Sequence, residues 1–488
     1  MDESKIPVIV GVGQINDRDE RLNSIELMAA ALRHADEDGG GGWLSRADAL
    51  DVVAQLSFPE FAEASKPLAQ MLDITPRHCA QTRYPMGDSP VALLNAAANR
   101  IAAGEAEVCA VAGGEALRTA AKRAAGGKRD AVRESAARAT REGRARYGIV
   151  APTDVYPLYE NACRAAWGQT LAEAQAESAE IWAGMSRVAA ANEHAWLRNA
   201  VAAEEVVAAS ANNRPIAFPY TKLMVANASV NQGAGFIVTS LTRAKAAGVA
   251  EARLVYIGRG AAAREPGDVL ARDHLYRSCS LDASLTATLR LNALTPSNLD
   301  TVELYSCFPV MPKLARRAIA WPLDKPMTVF GGLTFGGGPV GNYMSHAITS
   351  MTETLREGGR YGLLFGNGGF ATTSHAIVIS RDPAVASQGT HEPSVQKEAD
   401  SGREPAPALR DTYAGEATIE TYTVFYNREG PAKSGVVIGR TPAHERFLAY
   451  VAREDAEMLT FLTDGRREPV GMTGRSFTDA EGVNHWQM

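Results

Sequence analysis

Asp88 and Ser89 stand where the sequence predicts the start of a helix, a position at which side chains can act on an anion or a thiolate. Ser89 is a favourable N-cap residue, Pro90 suits the first helical position, and a helix-forming run continues to about residue 103. The unpaired amides and positive dipole end of such a helix stabilise negative charge. Asp88 could cap these amides, which we favour, or repel an anionic ligand.

Cysteine and histidine are the other candidates for chemistry. The five cysteines contain no Cys-x-x-Cys pair, which favours a reducing compartment and argues against structural zinc. Cys307 is a weak catalytic candidate, and a buried small hydrophobe is the reading that we favour. Cys279, His346 and His375 are lone residues, and His375 beside a predicted strand is typical of a structural histidine.

The composition is that of an ordinary globular protein. Of the 488 residues, 45% are hydrophobic and 22% are charged, so the chain can form a large core without disulfides or metals. The formal net charge of −6 gives no reason to expect nucleic-acid binding. No apolar run approaches the roughly 18 residues of a membrane-spanning helix, and the N-terminus lacks a signal-peptide pattern. We therefore expect a cytoplasmic protein of two to four domains.

Strand-forming and helix-forming segments alternate, which predicts an α/β fold that positions the helix start described above. Strand candidates are centred near residues 9, 53 and 109, and similar ones recur near residues 255, 303 and 364. The similar offsets, about 246 to 255 residues, predict an internal duplication.

Three further regions differ from this pattern. Residues 118–225 form a helical insertion, in which Thr170 and Glu173 make a capping-box pattern before a long helix. Residues 382–410 contain Pro393 and Pro405 and no apolar periodicity, which predicts a linker. Residues 411–488, with five short strand candidates and one helix, predict a small OB-like β-barrel.

Several motifs make the chain resemble the thiolase superfamily. The segments that resemble its loop domain are residues 156–159 (YPLY), 189–192 (AAAN) and 219–222 (PYTK), and residues 227–234 (NASVNQGA) resemble the return to the first half. The resemblance covers about residues 1–381 and implies a duplicated, five-layered αβαβα thiolase fold, as in acetyl-CoA acetyltransferases and sterol-carrier-protein thiolases. The implied division is a first half (1–117 and 226–251), a loop domain (118–225), a second half (252–381), a linker (382–410) and an added domain (411–488).

The resemblance also assigns four catalytic positions. A thiolase uses a nucleophilic cysteine, an oxyanion-holding asparagine or histidine, a histidine base and a second cysteine. The matching segments are residues 87–89 (GDS), 302–308 (VELYSCF), 331–339 (GGLTFGGGP) and 362–366 (GLLFG). They place Gly87, Tyr305, Gly338 and Leu364 at these positions, or Gly366 instead of Leu364 after a one-residue shift. Because none of these residues can do the family's chemistry, we expect little or no thiolase activity.

A ligand pocket could outlast the lost catalytic residues. The resemblance places in it Ser89, Phe308, Gly337, Pro339 and Gly366. Residues 118–146 carry ten Lys and Arg against three Asp and Glu, and the resemblance implies that this loop-domain stripe receives the phosphates of coenzyme A, although a solvated arm is the simpler reading. The candidates are Arg118, Lys122, Arg123, Lys128 and Arg129. No covalent cofactor and no metal are expected.

Three hypotheses follow. The first is a thiolase-like protein that binds CoA or an acyl-CoA thioester without running the thiolase reaction. The second is an acyltransferase whose chemistry has moved, with Cys307 as its residue. The third is a non-enzymatic protein that binds a protein partner through the added domain. We expect a monomer rather than the thiolase-type dimer.

Overall fold

The computed structural model describes residues 2–124, 134, 142–386 and 389–488. The first half of the fold begins with a strand that is buried along most of its length, as its apolar sequence predicts. Its elements are β1 (Pro7–Asn16), α1 (Ser24–Asp38), β2 (Ala49–Val52), α2 (Ser65–Met71), β3 (His78–Gln81), α3 (Ser89–Ala103), β4 (Val108–Ala116), β7 (Asn231–Ser240) and α9 (Leu241–Ala246).

The second half repeats the first. Its elements are β8 (Val255–Ile257), β9 (Ala261–Arg264), α10 (Cys279–Leu291), β10 (Thr301–Leu304), α11 (Val310–Ala318), α12 (Tyr343–Glu357), β11 (Tyr361–Gly368) and β12 (Thr373–Ser380). In the first half the strand order is β1-β7-β4-β2, and in the second it is β8-β12-β11-β10. The parallel pair β2–β4 corresponds to β10–β11, and the antiparallel pair β4–β7 to β11–β12. The predicted duplication is therefore confirmed.

The two halves meet at β1 and β8, where Val8 pairs with Tyr256 and Ile9 with Val255. This contact joins the strands of both halves into one sheet, whose free end in the first half is β3. Helices α3 and α12, which precede β4 and β11, contact each other between the halves. The beginnings of these two helices therefore lie near the centre of the fold.

The predicted cap of α3 is wrong. Asp88, not Ser89, occupies the N-cap position, and its side chain makes no capping hydrogen bond. The Ser89 hydroxyl is used in the preceding turn instead, where it accepts a hydrogen bond from the Met86 amide at 3.2 Å. The helix does end where expected, because Gly104 adopts φ 73° and closes the last turn.

The insertion is mainly helical, as predicted. Its elements are α4 (Leu117–Arg123), α5 (Glu142–Arg146), α6 (Pro152–Ala166), α7 (Leu171–Ala191), α8 (Ala203–Val207), β5 (Pro215–Ala217) and β6 (Tyr220–Thr221). Thr170 and Glu173 form the predicted capping box at the start of α7. No helix in the described parts of the chain is long and apolar enough to cross a bilayer.

The segment predicted to be a linker contains a helix, α13 (Gln396–Ser401), which packs on α10. Ala399 is buried there beside Cys279 and Ala263. The added domain follows as β13 (Gly415–Tyr426), β14 (Ala432–Arg440), β15 (Arg446–Val451), α14 (Ala456–Thr463), β16 (Thr473–Thr478) and β17 (Asn484–Gln487). The strand order β14-β15-β17-β16-β13 closes through the pair β13–β14, so these five strands form the predicted barrel.

The barrel is docked on the insertion. Phe425 of β13 pairs with Ala217 of β5, and the Asn161 side-chain amide donates to the Tyr422 carbonyl at 2.9 Å. The Arg164 guanidinium binds both carboxylate oxygens of Glu468. The added domain therefore continues the structure of the insertion.

Candidate functional site

Gly87 lies in the turn before α3, and the space that a side chain would need is already filled. A Cβ atom at this position would overlap the Tyr305 hydroxyl and the Asn367 carbonyl oxygen. Because Asn367 contributes a backbone atom, this neighbour cannot turn aside as the end of a flexible side chain would. The turn therefore accepts glycine and excludes a nucleophilic side chain.

Tyr305 is the residue that fills this corner. It follows the end of β10, where its amide donates to the Phe365 carbonyl at 3.2 Å. Its ring is buried and meets the Tyr343 ring edge to face, with centroids 5.9 Å apart. Burial raises the pKa of Tyr305 well above its ordinary value of 10.0, so the phenol stays neutral. The Tyr305 ring therefore serves to fill space in the core.

Gly366 also packs closely against the turn that contains Gly87. A Cβ there would lie 2.8 Å from the Asp88 Cα atom. Leu364 lies two residues earlier, fully buried within β11 between Glu303 and Ile377. Of the two positions considered for the second cysteine, Gly366 is the one that meets the start of α3.

The glycine-rich segment forms a π-helical turn at Gly332–Gly336. Gly331 and Gly337 have φ of 115° and 107°, values that favour glycine. The turn is held by Thr328, whose hydroxyl accepts from the amides of Phe330, Gly331 and Gly332 at 2.9–3.1 Å. The Gly338 amide in turn donates to the Asn227 carbonyl at 2.9 Å, so these glycines are explained by the turn itself.

A buried carboxyl group lies beneath this turn. Glu303 accepts hydrogen bonds from the Tyr343 hydroxyl, the Thr328 hydroxyl and the Val329 amide at 2.8–2.9 Å. Burial raises its pKa from 4.5 to about 7, despite these hydrogen bonds. Glu303 lies two residues before Tyr305, the residue that the resemblance assigns to the oxyanion position, and its hydrogen bonds hold the surrounding structure together.

The candidate pocket residues are also packed. Ser89, Phe308, Gly337, Pro339 and Gly366 are all buried. Phe308 stacks on Tyr156, with ring centroids 4.5 Å apart, and the Tyr156 hydroxyl donates to the Gly369 carbonyl at 3.1 Å. Tyr156 is a residue whose role sequence reasoning missed, because only the fold brings α6 next to β11. It joins the insertion to the second half across the predicted pocket.

Cys307 is buried, and its thiol lies beside Tyr156. Burial raises the pKa of its thiol to about 12. Burial also raises the pKa of Cys279, one of the lone residues, to about 11, and that of Cys109 in β4 to about 12. Burial lowers the pKa of His346 to about 3 and that of His375 to about 4, so both are neutral near pH 7.

The basic candidates already have partners. Arg118 donates from Nε to Glu20 at 2.7 Å, and the Lys122 ammonium lies 3.8 Å from the same carboxylate. Arg123 donates to the Arg21 carbonyl at 2.9 Å. Lys128 and Arg129 lie outside the described residues. Among those described, no group of three or more His, Cys, Asp and Glu side chains could hold a metal ion.

Comparison with known proteins finds one matching domain family and several similar structures. The model of the thiolase-like protein type 1 additional C-terminal domain matches residues 394–481. The crystal structure of a monomeric SCP2-thiolase-like protein type 1 from Mycobacterium smegmatis is similar over 99% of both chains, with 29% identity and a TM-score of 0.84. No curated protein matches the chain.

Two thiolases share the fold at lower identity. Human mitochondrial 3-ketoacyl-CoA thiolase in complex with CoA matches 77% of this chain and 98% of its own, with 14% identity and a TM-score of 0.61. Acetyl-CoA acetyltransferase from Syntrophomonas wolfei matches 77% and 99%, with 13% identity and a TM-score of 0.57. The duplicated sheet and these matches show that the chain has a thiolase-like fold, and that its residues 394–481 match the additional C-terminal domain of thiolase-like protein type 1.

Proposed function

We propose that the protein is a cytoplasmic monomer that binds CoA or an acyl-CoA thioester and does not perform the thiolase reaction. The observation that carries the proposal is the corner at Gly87, where the Tyr305 ring and the Asn367 carbonyl take up the space of a nucleophile. Losing one member of a cooperative catalytic set commonly lowers the rate by thousands to about a million. The sequence resemblance assigns the family's four positions to Gly87, Tyr305, Gly338 and Leu364, or to Gly366 instead of Leu364 after a one-residue shift.

Relocated chemistry at Cys307 is the weaker alternative. With a pKa of about 12, its thiolate fraction near pH 7 is on the order of one in 100,000. The buried histidines His346 and His375 have pKa values of about 3 and 4, so they are weak bases and would not readily take the proton of this thiol. We therefore expect thiolysis of acetoacetyl-CoA to stay at background and to be equal in the wild type and in Cys307→Ala.

The ligand class is supported by the fold. A thiolase with this fold has been crystallised in complex with CoA. In our proposal the loop domain receives the phosphates at Arg118, Lys122 and Arg123, which are all exposed on α4. A phosphate group would have to compete with Glu20 for the first two of these side chains. The expected affinity is therefore modest and falls with added salt.

Calorimetric titration with CoA and with acetoacetyl-CoA tests the proposal. We expect binding at submillimolar concentration, and at least threefold weaker binding for the double variant Arg118→Ala/Lys122→Ala. Arg187→Ala is the matched control, since this arginine is exposed on α7 and pairs with Glu180 at 3.7 Å. No heat with either ligand at millimolar concentration would refute CoA binding. Sedimentation velocity tests the monomer separately.

One observation favours a protein partner as the second candidate function. Phe477 of β16 is 45% exposed and stacks on His485, with ring centroids 5.1 Å apart. An exposed aromatic residue on the barrel is a plausible anchor for a partner. Phe477→Ser should then abolish capture of that partner while CoA affinity stays unchanged.

A further inference from the structure

The Tyr305 hydroxyl lies in the space beside Gly87, at the end of a ring that fills the core. A Cβ atom on residue 87 would overlap this hydroxyl. In a productive geometry the attacking atom of a nucleophile lies about 3–3.5 Å from the carbonyl carbon that it attacks. The hydroxyl of Tyr305 therefore stands where the first atoms of a nucleophile, or the thioester that approached it, would lie.

This hydroxyl differs from those of the buried tyrosines around it. The Tyr156 hydroxyl donates to the Gly369 carbonyl at 3.1 Å, and the Tyr343 hydroxyl donates to the Glu303 carboxylate at 2.8 Å. Within the described parts of the chain, the Tyr305 hydroxyl forms no hydrogen bond, although the residue is only 6% exposed. Burying an unpaired hydroxyl is unfavourable, and phenylalanine would fill the same core without that cost. Packing of the ring alone holds the hydroxyl at the corner.

The walls around the Tyr305 ring are held in place by other contacts. The Tyr343 ring is fixed by its hydrogen bond to Glu303, and it packs on Phe330 with ring centroids 5.7 Å apart. At the corner itself the wall is the Asn367 carbonyl oxygen, a backbone atom of β11. Because packed cores relax only partly when a side chain is shortened, removing the Tyr305 ring should leave an open space here.

The corner can be approached from solvent. Met86 and Asp88, on either side of Gly87, are half-buried, and the exposed Gly369 lies next to Met86. A Cβ atom on Gly369 would lie 3.1 Å from the Met86 Cε atom. A ligand that reached the turn from this side would find the space beside Gly87 closed by the Tyr305 hydroxyl.

We propose that Tyr305 determines the ligand specificity of the proposed CoA site, because it excludes the acyl group from this corner. The inference rests on the proposed function. CoA and its thioesters then bind through the CoA part alone, and the acyl chain stays in solvent whatever its length. The protein therefore does not distinguish free CoA from its acylated forms.

Calorimetric titration of the wild type and of Tyr305→Ala with CoA, acetyl-CoA and butanoyl-CoA tests the inference. In the wild type we expect the three affinities to agree within threefold, since the acyl chain buries no apolar surface. In Tyr305→Ala the chain can enter the space left by the ring, and each buried methylene group adds about fourfold in affinity. We therefore expect this variant to bind butanoyl-CoA at least tenfold more tightly than CoA. Tyr450→Ala, the same substitution at a half-buried tyrosine of the barrel, should keep the wild-type pattern.

Two results would overturn this inference and leave CoA binding intact. One is a tenfold preference of the wild type for butanoyl-CoA over CoA, and the other is equal binding of the three ligands by a folded Tyr305→Ala. If Tyr305→Ala does not fold, Tyr305→Leu decides by the same comparison, because leucine keeps an apolar side chain and removes the hydroxyl. No heat with any of these ligands would instead refute the proposed function, and this inference with it.

A second measurement detects the space without CoA. Phenol is the part of the side chain that Tyr305→Ala removes, and cavities cut into a core bind small molecules of matching size. Millimolar phenol should raise the melting temperature of Tyr305→Ala by about 2 °C and leave that of the wild type unchanged. Equal effects on the two proteins would show that no space opens at the corner, which contradicts the role of Tyr305.

Discussion

The corner at Gly87 and the cavity at Arg144 are opposite outcomes within one chain. At the corner, Tyr305 and the Asn367 carbonyl fill the space beside the start of α3, so no side chain can be accommodated at position 87. At the cavity, residues of the insertion, the second half and the added domain line a space of about 500 Å³ that is partly open to solvent. The difference teaches that packing fills the corner at Gly87, whereas open space remains where the added domain meets the rest of the chain.

The largest expected effect is on the wall of the cavity. Arg446→Met removes the hydrogen bonds to Glu420 and to the Leu270 and Arg272 carbonyls. Because the Glu420 carboxylate then loses a buried partner, we expect the free energy of unfolding to fall by about 3–5 kcal/mol. Urea denaturation measures this, and a loss below about 1 kcal/mol would show that the wall does not depend on this arginine.

The corner should be the next most sensitive. Gly87→Ala forces a methyl group into the Tyr305 hydroxyl and the Asn367 carbonyl, so we expect a loss of about 3 kcal/mol. Gly184→Ala is the matched control, because in α7 the nearest atom outside the local helix backbone lies 3.7 Å from the added Cβ. Since alanine is the better helix former, that control should gain about 0.5–1 kcal/mol. Equal stability of the two variants would contradict the filled corner.

The buried carboxyl group beneath the glycine turn gives a pH-dependent test of the same region. Because burial raises the pKa of Glu303 to about 7, the folded protein holds this proton more tightly than the unfolded chain. Its contribution to stability is therefore fully present below pH 4.5 and declines as the pH rises through 7. Relative to wild type, Glu303→Gln should gain about 2 kcal/mol between pH 5 and pH 8.

Denaturation of both proteins at several pH values measures this difference. Only its change with pH matters, since the substitution also alters the hydrogen bonds to Thr328, Val329 and Tyr343. If the difference in free energy of unfolding between the two proteins stays constant from pH 5 to pH 8, Glu303 is already charged in the folded protein at pH 5 and its pKa is not raised.

The smallest effect concerns the basic residues of the insertion. Glu20→Gln removes the carboxylate that pairs with Arg118 and Lys122, so both cations become available to a phosphate group. We expect CoA affinity to rise about two- to threefold, and the gain to disappear at high salt. Calorimetry at low and high ionic strength measures it, and a lower affinity would place the phosphates elsewhere.

The sequence predicted the framework better than the sites. The strands at residues 255–257 and 361–368 were recognisable because buried strands are apolar runs, and the repeat spacing related them to the first half. The capping box at Thr170 was equally readable, because all its parts lie within four residues. Local signals of this kind do not depend on the rest of the fold.

The failures have a common physical cause. Ser89 looks like an N-cap, but its hydroxyl is used by the Met86 amide in the preceding turn. Tyr305 fills the space beside Gly87, but the two residues are 218 positions apart, so the sequence does not show that they meet. The motif shows only that tyrosine stands where the family has asparagine or histidine. The cavity lined by Arg144 forms only because the fold brings Leu270 and Leu448, which are distant in the sequence, next to this residue. The prolines of this segment predicted a linker, so the Gln396–Ser401 helix was missed. This helix is stabilised by packing on α10, which the local sequence does not show.

The shared sheet between barrel and insertion limits how this protein can be dissected. Phe425 pairs with Ala217, and the Phe218 amide donates to the Val424 carbonyl at 2.8 Å. A fragment that stops near residue 390 would leave these backbone groups of the insertion without partners, and an unpaired strand edge of this kind promotes aggregation. Anyone expressing the thiolase-like part by itself should expect inclusion bodies, and should keep the tail attached.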